Sequence, residues 1–334
     1  MALIRKINAR AKRNLNTGYG DNASSYGGRF LNKDGRANIK KQGVGLLERT
    51  SWYHTMLLLP GWKFLTLIFL FYVAMNLSFA FVYFMLGMES LGLTSGSALS
   101  NFGEAFFFSA QTFTTVGYGR ISPVGFASSA IAAVEALIGL LSFALATGLL
   151  YGRFSKPVAY LRFSRHAVIA PYKNINALMF RVAPYKNNNL VEAEASVTLG
   201  MVEEENGVRS NKFYQLELEL KSINALTLSW TLVHPINEKS PLYNFSQSDF
   251  ENTTGEILVF IKAFDDLYSN HVVARTSYVF REIKYGSKFL PMFTRSLSGD
   301  QTVLDLDKLD HSEEVHLNSV EKSEVSDILK GEKV

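Results

Sequence analysis

The sequence predicts an α+β membrane protein, with two transmembrane helices enclosing a re-entrant helix and loop, followed by an immunoglobulin-like β-sandwich. Three observations carry this prediction. Two long apolar stretches, 64–88 and 126–151, occupy the first half of the chain. Between them lies an apolar segment too short to span, closed by a Gly-rich run. After Pro157 the apolar pattern changes to strict alternation, the period of half-buried strands. Hydrophobic residues make up 47% of the 334, with 25 Phe and 15 Tyr, in keeping with a chain partly dissolved in lipid.

Residues 1–47 form a basic N-terminal segment. The first fifty residues hold eleven Lys or Arg against three acids. A nucleic-acid arm is the alternative, but an apolar span follows within fifteen residues, so a cytoplasmic flank explains the charge and no nucleic-acid partner is expected. The first thirty residues are polar and Gly/Asn-rich, so a cleaved signal peptide is not expected. With no cysteine, disulfides and thiolate chemistry are excluded.

Residues 48–60 mix polar, aromatic and aliphatic side chains before Pro60-Gly61, and read either as an amphipathic helix on the membrane surface or as the loop before the first span. Residues 61–156 make the membrane domain. Its first span, 64–88, has 25 uncharged residues, enough at about 1.5 Å each to cross roughly 30 Å of hydrocarbon. Trp62 and Lys63 suit one interface, and Tyr83 reads as a marker of the other. The second span, 126–151, carries only Glu135 and ends before Pro157, with Arg153 and Lys156 at its exit. Because 89–122 contains a single basic residue, Arg120, that segment is expected outside and both termini inside. Residues 157–300 supply the sandwich strands, at 177–182, 191–197, 214–220, 257–261 and 274–280. The tail, 301–334, has nine acids against four Lys and reads as a weak helix or disordered.

Between the spans, 101–113 predicts a short helix capped by Asn101 or Ser100. It runs into Thr115-Val116-Gly117-Tyr118-Gly119. Irregular backbone at membrane depth survives only where protein or water satisfies it, which marks a re-entrant pore loop. Four Thr-Val-Gly-Tyr-Gly loops, whose carbonyls replace the hydration shell of K⁺, are the established potassium-filter solution. Here the glycines permit the φ values that turn carbonyls one way, Val116 packs outward, Tyr118 braces the loop and Thr115 adds a hydroxyl at the inner site. A phosphate-loop reading fails, because 117–122 lacks a third glycine and a span rather than a βαβ unit follows. No catalytic or metal-ligand spacing stands out, and His166, His234 and His271 are scattered.

Surface helix, span, pore loop, span and sandwich in this order resemble the inward-rectifier potassium channels, particularly their prokaryotic branch. The resemblance covers about 48–295 and rests on AFFFSAQTFTTVGYG, ATGLLYGRFSKP, FSRHAVIAPY, LVEAEASV, LVHPINEKSPLYNFS and ARTSYVFREIKYGSKFLPMF. Voltage-gated channels would need four further spans, one of them Arg-rich.

The resemblance implies a homotetramer in a bacterial plasma membrane. K⁺ is its permeant ion, held at Thr115, Val116, Gly117 and Tyr118, and no cofactor is implied. It further implies a pore lined by Phe143 and Thr147 and gated by a ring of Tyr151, the alternative for Tyr151 being a packed or interfacial tyrosine. Phe143 stands where strongly rectifying relatives carry an acid, so tight polyamine block is not expected there, although Ba²⁺ and polyamines are the implied class of blockers. Gly139 is either a hinge or a packing contact. Glu135 either hydrogen-bonds behind the filter, the favoured reading, or faces the cavity. Lys63, Arg153 and Lys156 are candidates for anionic phospholipid, or plain positive-inside anchors. The loop 265–271 is the expected cytoplasmic gate, with Asp265 and Asp266 either ringing the pore or serving as turn residues. Arg120 is expected to hinder K⁺ entry unless it turns toward Glu104 or Glu89.

Overall fold

The computed structural model describes residues 8, 10–15, 17–19, 29–43, 45, 51–205, 208–296 and 298–318. The chain divides into two compact units, 41–156 and 1–40 with 157–334. The starting residues of the expected surface helix, 48–50, and the end of the tail, 319–334, lie outside the described residues.

The smaller unit is helical. α1 (Trp52–Leu58) begins where the Ser51 side chain accepts from the His54 N–H, and no side chain of it is buried. α2 (Gly61–Leu86) starts directly after Pro60. Of its 26 residues only Phe64, Asn76, Ala80 and Tyr83 are buried. α3 (Ala98–Phe113) is capped by Ser97 rather than by Ser100 or Asn101. Asn101 instead accepts the Gly96 N–H at 2.8 Å, so the helix starts three residues earlier than its apolar pattern suggests. α4 (Phe126–Phe154) runs three residues past Tyr151, and only Ser128, Ala132, Glu135 and Gly139 are buried in it. Apart from Phe64, the two long helices therefore hide small and polar residues and display apolar ones. That inversion suits a hydrocarbon solvent, where close packing and hydrogen bonds, not apolar burial, hold helices together.

The larger unit is built on two five-stranded sheets. One orders β1 (Leu161–Phe163), β3 (Ile175–Pro184), β2 (Ala167–Tyr172) and β10 (Ile283–Tyr285), with β7 (Trp230–Pro235) also on β3. The other orders β5 (Val208–Leu216), β4 (Leu190–Glu205), β8 (Gly255–Asp265) and β9 (Asn270–Val279), with β6 (Ser222–Ala225) also on β4. Every pairing in these sheets is antiparallel except β10 with β2. The alternating residues Leu178, Phe180 and Val182 of β3 meet Val197, Leu199 and Met201 of β4 and Ile257, Val259 and Ile261 of β8 in one core. A short helix, α5 (Gln247–Asn252), sets Phe250 into the same core.

Two departures from expectation concern the ends of this unit. The tail does not begin at 301: β13 (Thr302–Leu304) pairs with β12 (Phe293–Arg295), and β14 (Ser312–Glu314) pairs with β11 (Ser287–Phe289). Buried Leu309, packed with Ala183 and Met292 and flanked by Leu304 and Leu306, anchors this stretch, a small apolar cluster that the acidic composition conceals. At the other end, N-terminal residues extend the fold. Asn14 N–H donates to the Phe213 carbonyl at 2.8 Å and Gln215 N–H to the Lys12 carbonyl at 3.0 Å, covering the edge of β5. A tight turn over 30–38 sits on β9, where the Thr276 hydroxyl donates to the Lys33 carbonyl.

Candidate functional site

The segment expected to form the filter leaves α3 at Thr114, whose hydroxyl donates to the Ala110 carbonyl at 2.7 Å. Backbone then folds back: Val116 N–H donates to the Gln111 carbonyl at 2.9 Å, and Gly117 N–H to the same oxygen at 3.4 Å. φ is positive at Thr115 (59°), Gly117 (52°) and Gly119 (83°), every second residue. Alternation of left- and right-handed backbone gathers successive N–H groups on one side of a chain, leaving its carbonyls for the other. Left-handed φ is free for glycine but strained for threonine, and such strain persists where the surroundings enforce it. Val116 and Tyr118 are exposed in the single chain, 53% and 79%.

Behind the filter lies a sealed polar cluster drawn from three helices. Asn76 and Tyr83 of α2, Ser109 of α3 and Glu135 of α4 are each fully buried. Tyr83 O–H donates to Glu135 Oε2 at 2.7 Å, while Ser109 Oγ is hydrogen-bonded both to Glu135 Oε1 and, at 3.1 Å, to Asn76 Oδ1. Tyr83 is thus not an interfacial marker. Its ring packs edge-on against Phe108, with 5.0 Å between centroids, and its hydroxyl finds the one carboxyl group within the spans. The signal available in the sequence was the seven-residue spacing of Asn76 and Tyr83, which puts both on one helix face.

On α4, Phe143, Thr147 and Tyr151 are exposed along one i, i+4 ridge, whereas Gly139 is buried. Gly139 abuts the Phe113 backbone, so the structure shows the packing contact offered as its second reading. Lys63 is exposed, with its ammonium 5.4 Å from the Trp62 ring centroid. Lys156 is exposed as well. Arg153 is different. Its guanidinium donates to the carbonyls of Met56 (2.7 Å), Leu57 (3.3 Å) and Leu59 (2.7 Å) and lies 4.6 Å from the Phe64 ring centroid. It therefore satisfies the orphan carbonyls that end α1, a task that nothing in its local sequence announces.

One residue past Gly119, Arg120 turns aside and pairs with Glu104 of α3, the first of the two acids expected. In the larger unit, Asp265 is fully buried and its Oδ1 accepts the N–H groups of Leu267 and Tyr268, at 3.0 and 3.3 Å. It is a turn residue and does not ring a pore. Asp266 is exposed.

Buried His234 and the half-buried pair Glu282 and Lys33 carry shifted titrations in this unit. Burial pushes His234 down to about 4, against the raising influence of the Glu217 carbonyl. Its Nδ1 lies 2.6 Å from that carbonyl, which can only accept, so Nδ1 carries the proton and Nε2 accepts from the Ser240 hydroxyl at 2.8 Å. For Glu282, burial works to raise the carboxyl, but hydrogen bonds from Arg29 and the Val279 N–H and the charge of Lys33 outweigh it and hold the group low. Lys33 in turn is lowered, burial exceeding the pull of Glu282.

Comparison with known proteins places this geometry. Residues 61–156 match the family model "Ion channel", and residues 161–329 match "Inward rectifier potassium channel C-terminal domain". The chain is 34% identical over 285 residues to an inward rectifier potassium channel, Kirbac3.1, of Paramagnetospirillum magnetotacticum, covering 84% of this chain and 94% of that one. It is 28% identical over 298 residues to the G protein-activated inward rectifier potassium channel 4 of Homo sapiens and of Mus musculus, covering 80% of this chain and 68% of theirs. The chain shows two apolar helices long enough to cross a membrane, a short helix and an irregular segment between them, and a β-rich domain after them. The chain belongs to the inward rectifier potassium channel family.

Proposed function

We propose that four copies of this potassium-channel subunit surround one axis and pass K⁺ passively through a filter of Thr115, Val116, Gly117, Tyr118 and Gly119. The observation that carries this reading is the positive φ at Thr115, Gly117 and Gly119, which supports a row of carbonyls turned to one side of the segment. Thr115 supplies both a carbonyl and a hydroxyl at the innermost ion position. Exposure of Val116 and Tyr118 in the single chain supports assembly, since both are apolar surfaces that neighbouring copies would cover.

Phe143 and Thr147 line the cavity below the filter, and a ring of Tyr151 closes the inner mouth. Their exposure on one ridge of α4 supports this. The cytoplasmic domain contributes a second control point at the loop 265–271, where Asp266 and not Asp265 presents its charge. The protein resides in a bacterial plasma membrane with both termini in the cytoplasm. Anionic phospholipid modulates it through Lys63 and Lys156, whose ammonium groups are free to meet headgroups. Arg153 adds positive charge near the same surface, but its donors point at α1. Ba²⁺ is expected to block the filter, and polyamines only weakly at the Phe143 ring.

Flux from proteoliposomes tests this reading. K⁺ uptake blocked by Ba²⁺, with no Na⁺ uptake, is expected, and Tyr151→Ala should raise it. Equal K⁺ and Na⁺ flux would sink the filter assignment, and unchanged flux in Tyr151→Ala would sink the gate.

A further inference from the structure

The cluster behind the filter has a proton count that its geometry resolves. Asn76 Nδ2 donates to the Tyr72 carbonyl at 2.7 Å, an oxygen that can only accept, so the amide orientation is determined and Oδ1 faces Ser109. Oδ1 needs a donor, and Ser109 has one hydroxyl proton to give. If that proton goes to Asn76, the remaining contact of Ser109 Oγ, to Glu135 Oε1, requires the proton to sit on Glu135. Tyr83 then donates to the other carboxyl oxygen. Every donor meets one acceptor: Glu135 to Ser109, Ser109 to Asn76, Asn76 to Tyr72, and Tyr83 to Glu135. With an ionised carboxylate the same atoms leave Asn76 Oδ1 facing an oxygen without a proton. The contacts to Glu135 among the described residues are hydroxyls, not cations, and all four side chains are fully buried within a single chain. A lone charge in such a place is far costlier than a neutral acid.

We infer that Glu135 is a neutral carboxylic acid, a positioning residue that donates to Ser109 and so ties α2, α3 and α4 together behind the filter. It acts through α3: Ser109 sits two residues before Gln111, whose carbonyl receives the Val116 and Gly117 N–H groups. The inference rests on the filter reading only for its functional consequence. The protonation state itself stands on the hydrogen-bond chain.

The experiment pairs infrared difference spectroscopy with flux, on the full chain in lipid. Subtracting Glu135→Gln from the unsubstituted protein should leave one protonated-carboxyl C=O band in neutral buffer. That band should persist in alkaline buffer, because the one titratable group in contact, Tyr83, is itself a neutral donor. A carboxylate band in its place overturns the inference. In parallel, Glu135→Leu should lose Ba²⁺-sensitive flux and Glu135→Gln, whose amide supplies both a donor and an acceptor, should recover it. Loss of flux in Glu135→Gln, with the tetramer intact, also overturns it. Failure of K⁺ selectivity in the unsubstituted protein would strike the channel reading, while leaving the infrared result standing by itself.

Discussion

Gly139 and Phe113 meet backbone to backbone: a Cβ placed on Gly139 would lie 2.0 Å from the Phe113 carbonyl oxygen. α4 therefore crosses the C-terminal end of α3 at the residue before the filter turn, and no side chain fits between them. A carbonyl this close to a neighbouring helix is held in place, and the segment that leaves Thr114 inherits that position.

Gly139→Ala is expected to push the two helices apart. Overpacking of this kind costs about 1–3 kcal/mol. The tetramer should melt at lower temperature, and the ratio of K⁺ to Na⁺ flux should fall. Wild-type melting and selectivity in the variant would show that the contact is dispensable.

Arg153 offers a discrimination between charge and geometry. Lysine keeps the charge but cannot fork across the carbonyls of Met56, Leu57 and Leu59. If the residue latches the end of α4 to α1, Arg153→Lys should alter flux as much as Arg153→Gln does. Lys156→Gln, in contrast, should weaken the response to anionic lipid. Full recovery by lysine would return Arg153 to the role of a headgroup ligand.

Pairing with Glu104 neutralises Arg120, the residue that follows the proposed filter. Glu104→Gln frees that charge in each of four subunits. Single-channel conductance should fall in dilute K⁺ and match the unsubstituted protein near 1 M salt, where screening acts within about 3 Å. A difference that does not depend on salt would point to a structural effect on α3.

His234 makes the cytoplasmic domain acid-sensitive. Its folded value, about 4, lies below the ordinary 6.5, so the neutral ring favours the fold and its contribution is complete above pH 6.5. That contribution is lost as pH falls from 6.5 toward 4, by up to roughly 3 kcal/mol. Glu282, held low, begins to lose its contribution only below the ordinary 4.5, which leaves the upper part of the window to the histidine. Denaturant unfolding at a series of pH values, followed by fluorescence of Trp230 on the same strand, should show the slope in the native protein. His234→Asn, which keeps a donor for the Glu217 carbonyl, should flatten it.

Much of this architecture was legible in the residues. The spans stand out because hydrocarbon demands unbroken apolar length, and the filter because left-handed backbone at alternate positions demands glycine at two of three sites. The strands of the sandwich announce themselves by alternation, since one face of each is buried. The end of the second unit did not, because a few leucines, Leu304, Leu306 and buried Leu309, outweigh the acids around them.

The sequence by itself determined the apolar spans, the re-entrant segment between them and the class of the β-rich domain, all of which depend on neighbours within a few positions along the chain. Tertiary structure alone decided what the charged and polar residues do. Glu135 meets Tyr83 and Ser109 at separations of 52 and 26 residues, and Arg153 meets Leu59 across 94. In a low-dielectric interior an ionisable group takes its charge state and its role from whichever atom lies within hydrogen-bonding distance, and that atom is chosen by how the helices pack.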